Sequence, residues 1–341
     1  MKRIYIVAGG TAGHINAALA LGEKYQTQYE VEYITGKRYL DYQLFKDSKV
    51  QHIDSKALRG VNLFQFFLNI IGNIFVFIKL IDFLRKKQPH FLIGASGYVC
   101  GPALLAGKFL GKRVFILEQN ASLGLTNKIL SKIATIIFTK FENTKGLSAA
   151  KKVIVSGNPI RSTIKFSQQK IEIGEKRVLV YGGSLGSNQI NQAIRAFIKI
   201  KKENIKILHQ VGKNNTEKII LDDYKEVEYI DDMQEAYDWA NIIIARSGAS
   251  TVSELEVVCK PSILIPFPNH ADNHQVYNAE ELKKKSDFQV FVLDKNLKGM
   301  DLAKKIEETI NSIELKMNIK RDTVMVDPFV IISKAIKKCM E

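Results

Sequence analysis

Cysteine is scarce in this chain. Cys100, Cys259 and Cys339 are the 3 in 341 residues; they lie far apart and none belongs to a CxxC pair. That argues against a disulfide framework and against the ligand spacing of a structural zinc site, and it fits a reducing cytoplasm. Low-complexity segments are missing too. With 46% hydrophobic and 25% charged residues, the composition excludes a disordered, collagen-like or coiled-coil chain. No apolar core with a small-residue cleavage site follows Met1-Lys2-Arg3, so no secretory signal is expected. Acidic residues are scarce in one half only. Residues 1–157 hold 22 Lys and Arg against 9 Asp and Glu, a net +13, whereas residues 158–341 hold 28 against 26, a net +2. A basic half seeks phosphate, on nucleic acid, anionic lipid or a phosphorylated substrate. Nucleic acid fits poorly, because no RNA- or DNA-binding motif is present and aromatics are not interleaved with the basic runs.

What is there is alternation. Short apolar runs read as strands at Arg3–Ala8, Val31–Thr35, Val50–Asp54, Phe91–Ala95, Val114–Glu118, Thr135–Thr139 and Val153–Ser156. A second series runs Val178–Gly182, Ile207–Val211, Val227–Ile230, Ile242–Ala245, Ser262–Pro266 and Gln289–Leu293. Helical stretches separate them, which predicts an α/β chain of parallel sheets with helical crossovers. Both series open on a strand, a glycine-rich loop and a helix: Gly9-Gly10-Thr11-Ala12-Gly13 and Gly182-Gly183-Ser184-Leu185-Gly186. The chain therefore reads as a loose repeat of doubly wound units, with a boundary near the turn Gly157-Asn158-Pro159. The polar stretch Ser167–Lys176 leads into the second unit, and Asp327-Pro328 opens a last amphipathic helix, Phe329 to Met340.

Glycines after a first strand let the backbone approach a ligand, and the next helix offers free N–H groups and a positive dipole end. A diphosphate fits such a place; so does a plain tight turn. Neither loop continues to Gly-Lys-Ser/Thr, which excludes a Walker A nucleotide site. The second strands run into Thr35-Gly36-Lys37-Arg38 and Gln210-Val211-Gly212-Lys213, with no acid for a dinucleotide ribose, so a nicotinamide enzyme is not expected.

An ordered set of motifs goes further. It comprises Gly9-Gly10-Thr11-Ala12-Gly13-His14, Gly97-Tyr98-Val99-Cys100-Gly101-Pro102, Glu118-Gln119-Asn120-Ala121, Gly124-Leu125-Thr126-Asn127 and Gly157-Asn158-Pro159-Ile160-Arg161. Gly182-Gly183-Ser184-Leu185-Gly186, Arg246-Ser247-Gly248-Ala249-Ser250-Thr251-Val252-Ser253-Glu254, Pro266-Phe267 and Asp272-Asn273-His274-Gln275 follow. Over about residues 3–282 the chain resembles the MurG family of bacterial peptidoglycan N-acetylglucosaminyltransferases. The resemblance implies a GT-B fold, two Rossmann-like doubly wound parallel-sheet domains facing a cleft. Residues 1–160 would form the acceptor and membrane-associating domain and 161–325 the domain binding UDP-N-acetylglucosamine (UDP-GlcNAc). Residues 326–341 would form a helix packing back on the first domain. It also implies transfer of N-acetylglucosamine (GlcNAc) to lipid I with inversion, giving lipid II, with no cofactor. Ala12, Ala17, Cys100 and His274 depart from the usual Gly, Pro, Ser and Gln.

The implied roles fall on particular residues. His14 would be the base that takes the acceptor proton, or else a histidine that only caps the helix. Tyr98 would line the acceptor side as a second catalytic residue. Thr11, Ala12, Gly13 and Asn120 would approach the donor sugar from the first domain, Asn120 reading otherwise as a helix cap. Arg161 and Ser184 would hold the UDP diphosphate. Ala249, Ser250, Thr251, Val252 and Ser253 would present the start of a helix to it. Glu254 would accept bonds from the ribose hydroxyls, its alternative being a solvated helix charge. Ile230, expected at a strand end, would meet the uracil edge with its backbone, and Gln275 the sugar. There is no Asp-x-Asp, and Asp231-Asp232 reads as a helix cap, so no metal is expected on the diphosphate. A macrolide or sterol transferase or a UDP-GlcNAc 2-epimerase would share much of this pattern.

Val61 to Leu84 is the least ordinary stretch. Asn62, Gln65, Asn69, Asn73 and Lys79 fall within an arc of about 120° at ~100° per helical residue. One polar and one broad apolar face suit a helix lying on a membrane or packed on a sheet, and the length alone admits a span. Lys56, Arg59, Arg85, Lys86 and Lys87 flank it, with Lys108, Lys112 and Arg113 in the same half. The expectation is peripheral attachment to an anionic surface, the cytoplasmic side of the cell membrane. Other partners could include cell-wall or division-complex proteins, and no nucleic acid is expected.

Overall fold

The computed structural model describes residues 1–58, 60–147, 152–167, 175–201, 204–213, 219, 221–268, 273–315 and 326–341. Arg59, Asp272 and most of the polar stretch Ser167–Lys176 lie outside the described residues. The chain forms two compact units, Met1–Arg161 with Met325–Glu341, and Ser162–Val324.

In the first unit, seven described strands make one parallel sheet: β1 (Arg3–Val7), β2 (Glu30–Thr35), β3 (Val50–His52), β4 (Phe91–Gly94), β5 (Arg113–Glu118), β6 (Ile136–Thr139) and β7 (Val153–Val155), in the order β3-β2-β1-β4-β5-β6-β7. The described crossovers include α1 (Ala12–Tyr25), α2 (Tyr39–Leu44), α3 (Leu63–Lys87), α4 (Cys100–Phe109) and α5 (Leu125–Leu130). The apolar runs are explained by burial on both faces. Along β1, Ile4 and Ile6 enter one hydrophobic cluster while Tyr5 and Val7 enter the other.

The second unit repeats the plan with six described strands: β8 (Lys176–Tyr181), β9 (Ile205–Gln210), β10 (Tyr224–Val227), β11 (Ile242–Ala245), β12 (Ser262–Leu264) and β13 (Val290–Val292). Their order is β10-β9-β8-β11-β12-β13, all parallel. Described helices are α6 (Asn188–Phe197), α7 (Met233–Trp239), α8 (Ala249–Val258), α9 (His274–Lys285) and α10 (Gly299–Ser312). One strand is displaced from its expected place. It covers Tyr224–Val227, not Val227–Ile230, so Ile230 lies three residues beyond a strand end. β10 is an edge strand, and its register is set by Tyr224 opposite Ile207. The buried Tyr224 hydroxyl, bonded to His209 and Glu226, anchors that register. A final helix, α11 (Pro328–Met340), starts at Asp327, whose side chain accepts from the Phe329 N–H. Its Ile332 and Ile336 are buried in the first unit's core with Ile4 and Ile6.

Helix α3 turns Asn69 and Asn73 of its polar stripe toward the protein, while Asn62, Gln65 and Lys79 stay exposed. Asn69 Nδ2 donates to the Ala57 carbonyl and Gln65 Nε2 to Asn69 Oδ1. Asn73 Oδ1 accepts from Ser55 Oγ and the Lys56 N–H, while its Nδ2 donates to the Lys56 carbonyl. These amides satisfy a segment that pairs with no strand. Leu80 and Leu84 pin the end of the helix into the core. Leu63, Phe64, Phe67, Leu68, Ile71, Ile74, Phe75 and Ile78 are left exposed, and Phe109 of α4, 68% exposed, extends the patch. By length and composition α3 could cross a membrane, and 17% of its most apolar window is buried.

Candidate active site

In a doubly wound sheet, ligands settle at the carboxyl ends of the strands where strand order reverses. Here the reversals fall between β1 and β4 and between β8 and β11. The loops at these points carry most of the motif residues.

In the first unit, Thr11 is the N-cap of α1, its hydroxyl accepting from the His14 N–H. Capping therefore falls to Thr11, while the His14 imidazole turns to the glycine loop. Ala12 is the first helical residue, outside the positive-φ positions, so its methyl group meets no backbone strain. His14 Nδ1 lies 3.3 Å from the Gly9 carbonyl oxygen. A carbonyl can only accept, so in the neutral ring Nδ1 carries the proton and Nε2 the lone pair. Burial lowers the His14 pKa below the ordinary imidazole value, partly opposed by the Gly9 carbonyl. Tyr98 is half-buried, with the Arg38 guanidinium 4.8 Å from its ring centre. Burial raises its phenol pKa, with Arg38 opposing, so at neutral pH Tyr98 is a hydrogen-bonding phenol. Cys100, in place of the usual Ser, is buried against the carbonyls of Val7 and Ser96, and burial pushes its thiol up to about 12.

Glu118 organises the loop after β5 and was not singled out from sequence. Its buried carboxylate accepts from the Asn120 N–H, Asn120 Nδ2, the Gly124 N–H and Asn127 Nδ2. Burial raises its pKa and these bonds oppose the rise. Asn120 does not cap α5, whose N-cap is Gly124; it is held by Glu118. The available signal was an acid closing the apolar run Val114–Leu117. Arg161 is half-buried at the end of the first segment, beyond the left-handed Gly157, where a Cβ would lie 3.1 Å from Pro328.

In the second unit, Ser184 lies in the turn between the left-handed Gly183 and Gly186. Arg246 binds the pieces around it and was likewise not singled out. Its Nη1 donates to the Ile265 and Pro266 carbonyls, its Nη2 to Ser187 Oγ and Gln189 Oε1. Burial pushes its pKa down to about 10, which still leaves it charged at neutral pH. A basic residue directly after the apolar Ile242–Ala245 was the signal. Gln210 Nε2 donates to the Gly183 carbonyl while its Oε1 accepts from the Ile230 N–H, so Ile230 sits against the glycine loop although it ends no strand. Asp232 caps α7 by accepting from the Glu235 N–H.

Gly248 is the N-cap of α8, so the first turn, Ala249 to Thr251, offers helix N–H groups. Val252 is fully buried and its N–H donates to the Gly248 carbonyl, while Ser253 Oγ donates to the Ala249 carbonyl. Glu254 is 6% exposed, which excludes a solvated helix charge, and it accepts from Tyr237 Oη at 2.8 Å. Gln275, in the first turn of α9, accepts from the Phe267 N–H through Oε1.

Family models match both units: the glycosyltransferase family 28 N-terminal domain over residues 4–139 and the C-terminal domain over 177–327. A protein of Shewanella frigidimarina is 38% identical over 306 residues, 82% of this chain and 80% of its own length. One of Coxiella burnetii is 34% identical over 90% and 89%. Both are named UDP-N-acetylglucosamine–N-acetylmuramyl-(pentapeptide) pyrophosphoryl-undecaprenol N-acetylglucosamine transferase. The chain belongs to the MurG family. The crystal structure of Acinetobacter baumannii MurG superposes with a TM-score of 0.73 at 25% identity, covering 92% of this chain and 91% of that one. The two doubly wound units are thus the pair of Rossmann-like domains of the GT-B fold.

Proposed function

We propose that this MurG-family chain transfers GlcNAc from UDP-GlcNAc to the C4 hydroxyl of undecaprenyl-diphosphate-linked N-acetylmuramoyl pentapeptide, lipid I, making lipid II. The observation that carries the reading is the match to the named transferases over about nine-tenths of the chain. The chemistry follows from the site. His14 Nε2 takes the proton of the C4 hydroxyl as its oxygen attacks the anomeric carbon opposite the phosphate. The bond from C1 to the phosphate oxygen breaks and UDP departs, so the configuration inverts and a β-1,4 link forms. The leaving diphosphate gathers charge that Ser184, the glycine-loop N–H groups, the N-terminus of α8 and Arg161 can hold. Glu254 takes the ribose hydroxyls. The backbone of Ile230 borders the uracil, its carbonyl offering the acceptor. Asn120 and Gln275 serve the sugar, and Thr11, Ala12 and Gly13 form the backbone around it. Tyr98 donates a hydrogen bond on the acceptor side.

The acceptor's lipid also needs a surface. The outward apolar face of α3 with Phe109, flanked by Lys56, Lys86, Lys87 and Lys108, suits insertion among anionic headgroups. We place the enzyme peripherally on the cytoplasmic side of the cell membrane through its first unit. Transfer of labelled GlcNAc from UDP-GlcNAc to a lipid I analogue, against sterol and macrolide acceptors, tests the assignment.

A further inference from the structure

Three buried side chains of the second unit are joined by two successive hydrogen bonds. Tyr181 Oη, at the end of β8, lies 2.9 Å from Tyr237 Oη of α7, and Tyr237 Oη donates to Glu254 Oε2 of α8 at 2.8 Å. Tyr181 is 5% exposed, Tyr237 0% and Glu254 6%. A carboxylate only accepts and a phenol carries one proton, so Tyr237 spends its proton on Glu254 and Tyr181 must donate to Tyr237. The direction of the relay is therefore fixed. Its middle member is also held from behind. The buried Lys260 ammonium donates to the carbonyls of Tyr237 and Ala240, filling the C-terminal end of α7, where a cation is favoured.

We infer that Tyr237 is a positioning residue for the donor ribose: its hydroxyl, oriented by Tyr181, sets the Glu254 carboxylate at the angle that receives the ribose diol. This rests on the reading that Glu254 takes those hydroxyls. Ser250 Oγ reaches the other carboxylate oxygen at 3.5 Å, the outer limit of a hydrogen bond, so the phenol supplies the firmer of these two contacts. An ion held at one oxygen loses little freedom when a diol binds the rest of it.

Calorimetry on the full chain with UDP and with 2′,3′-dideoxy-UDP separates the possibilities. Tyr237→Phe keeps the ring and its packing. It should weaken UDP about two- to tenfold, the cost of ordering one side chain on binding, and leave the dideoxy analogue almost unchanged. In transfer assays KM for UDP-GlcNAc should rise with kcat nearly constant. Tyr181→Phe, which keeps the bond between Tyr237 and Glu254, should reduce the preference for UDP less. In a Glu254→Ala background, Tyr237→Phe should add nothing. Equal weakening of both ligands by Tyr237→Phe, or no weakening, overturns the positioning role. A Glu254→Ala chain that still prefers UDP over the analogue overturns the ribose reading itself, and the inference with it.

Discussion

Gly97 packs directly on the carbonyl of Gly9: a Cβ at position 97 would lie 2.2 Å from that oxygen. The same oxygen receives the Nδ1 proton of His14. Gly97 also has φ +98°, which side chains avoid. The glycine after β4 thus fixes the carbonyl that holds the His14 imidazole, the proposed base. Gly97→Ala should displace the Gly9 carbonyl and lower turnover about 10²-fold, the scale of a 1 Å misplacement. UDP affinity should stay unchanged. Wild-type turnover in a folded Gly97→Ala protein would show that this contact does not orient His14.

The pH profile follows from the same histidine. Burial holds its pKa below the ordinary value, so the lone pair on Nε2 persists into mildly acidic solution. Protonation removes that lone pair. Activity as kcat/KM should therefore fall on the acid side with a midpoint below about 6.5. A stopped assay from pH 5 to 8 measures it. A midpoint above the ordinary histidine value would contradict the assignment of the limb to His14.

Glu118→Ala should cost about 1–3 kcal/mol of stability, because the buried Asn127 amide and the part-buried Asn120 and Gly124 N–H groups lose a shared acceptor at once. Urea unfolding measures the loss, and if Asn120 serves the donor sugar as proposed, UDP-GlcNAc affinity should fall in parallel. Stability equal to wild type would mean that water replaces the carboxylate fully.

The outward face of α3 gives a membrane prediction. Replacing Phe64, Phe67 and Phe75 together by Ser should abolish co-sedimentation with anionic vesicles, since each buried Phe contributes about 1.5–3 kcal/mol. Wild-type binding should rise with anionic lipid and weaken in high salt. Salt-independent binding to neutral and anionic vesicles alike removes the electrostatic part, and retention after alkaline carbonate extraction would instead indicate a span.

Much of this was legible in the sequence because strands buried on both faces announce themselves. The runs around Ile4, Leu92 and Ile243 are apolar without interruption, and each became a central strand. The edge strand Tyr224–Val227 was misplaced because Lys225 and Glu226 hide it. The polar arc of α3 was readable, but not where its asparagines turn, which depends on the Ser55 hydroxyl and the backbone of Lys56 and Ala57 that they bond. Arg246 and Tyr237 were hidden as organisers because their partners come from other loops and helices; Glu118, whose partners Asn120, Gly124 and Asn127 follow closely, was hidden because a sequence does not show which way a loop folds back.

The central claim is the reaction. Radiolabelled UDP-GlcNAc incubated with a lipid I analogue should yield a labelled, β-1,4-linked disaccharide lipid and UDP. His14→Ala should slow that transfer about 10²–10⁴-fold while donor binding persists. Label appearing on sterol or macrolide acceptors but never on the lipid I analogue, or UDP released with an epimerised sugar and no transfer, would contradict the account.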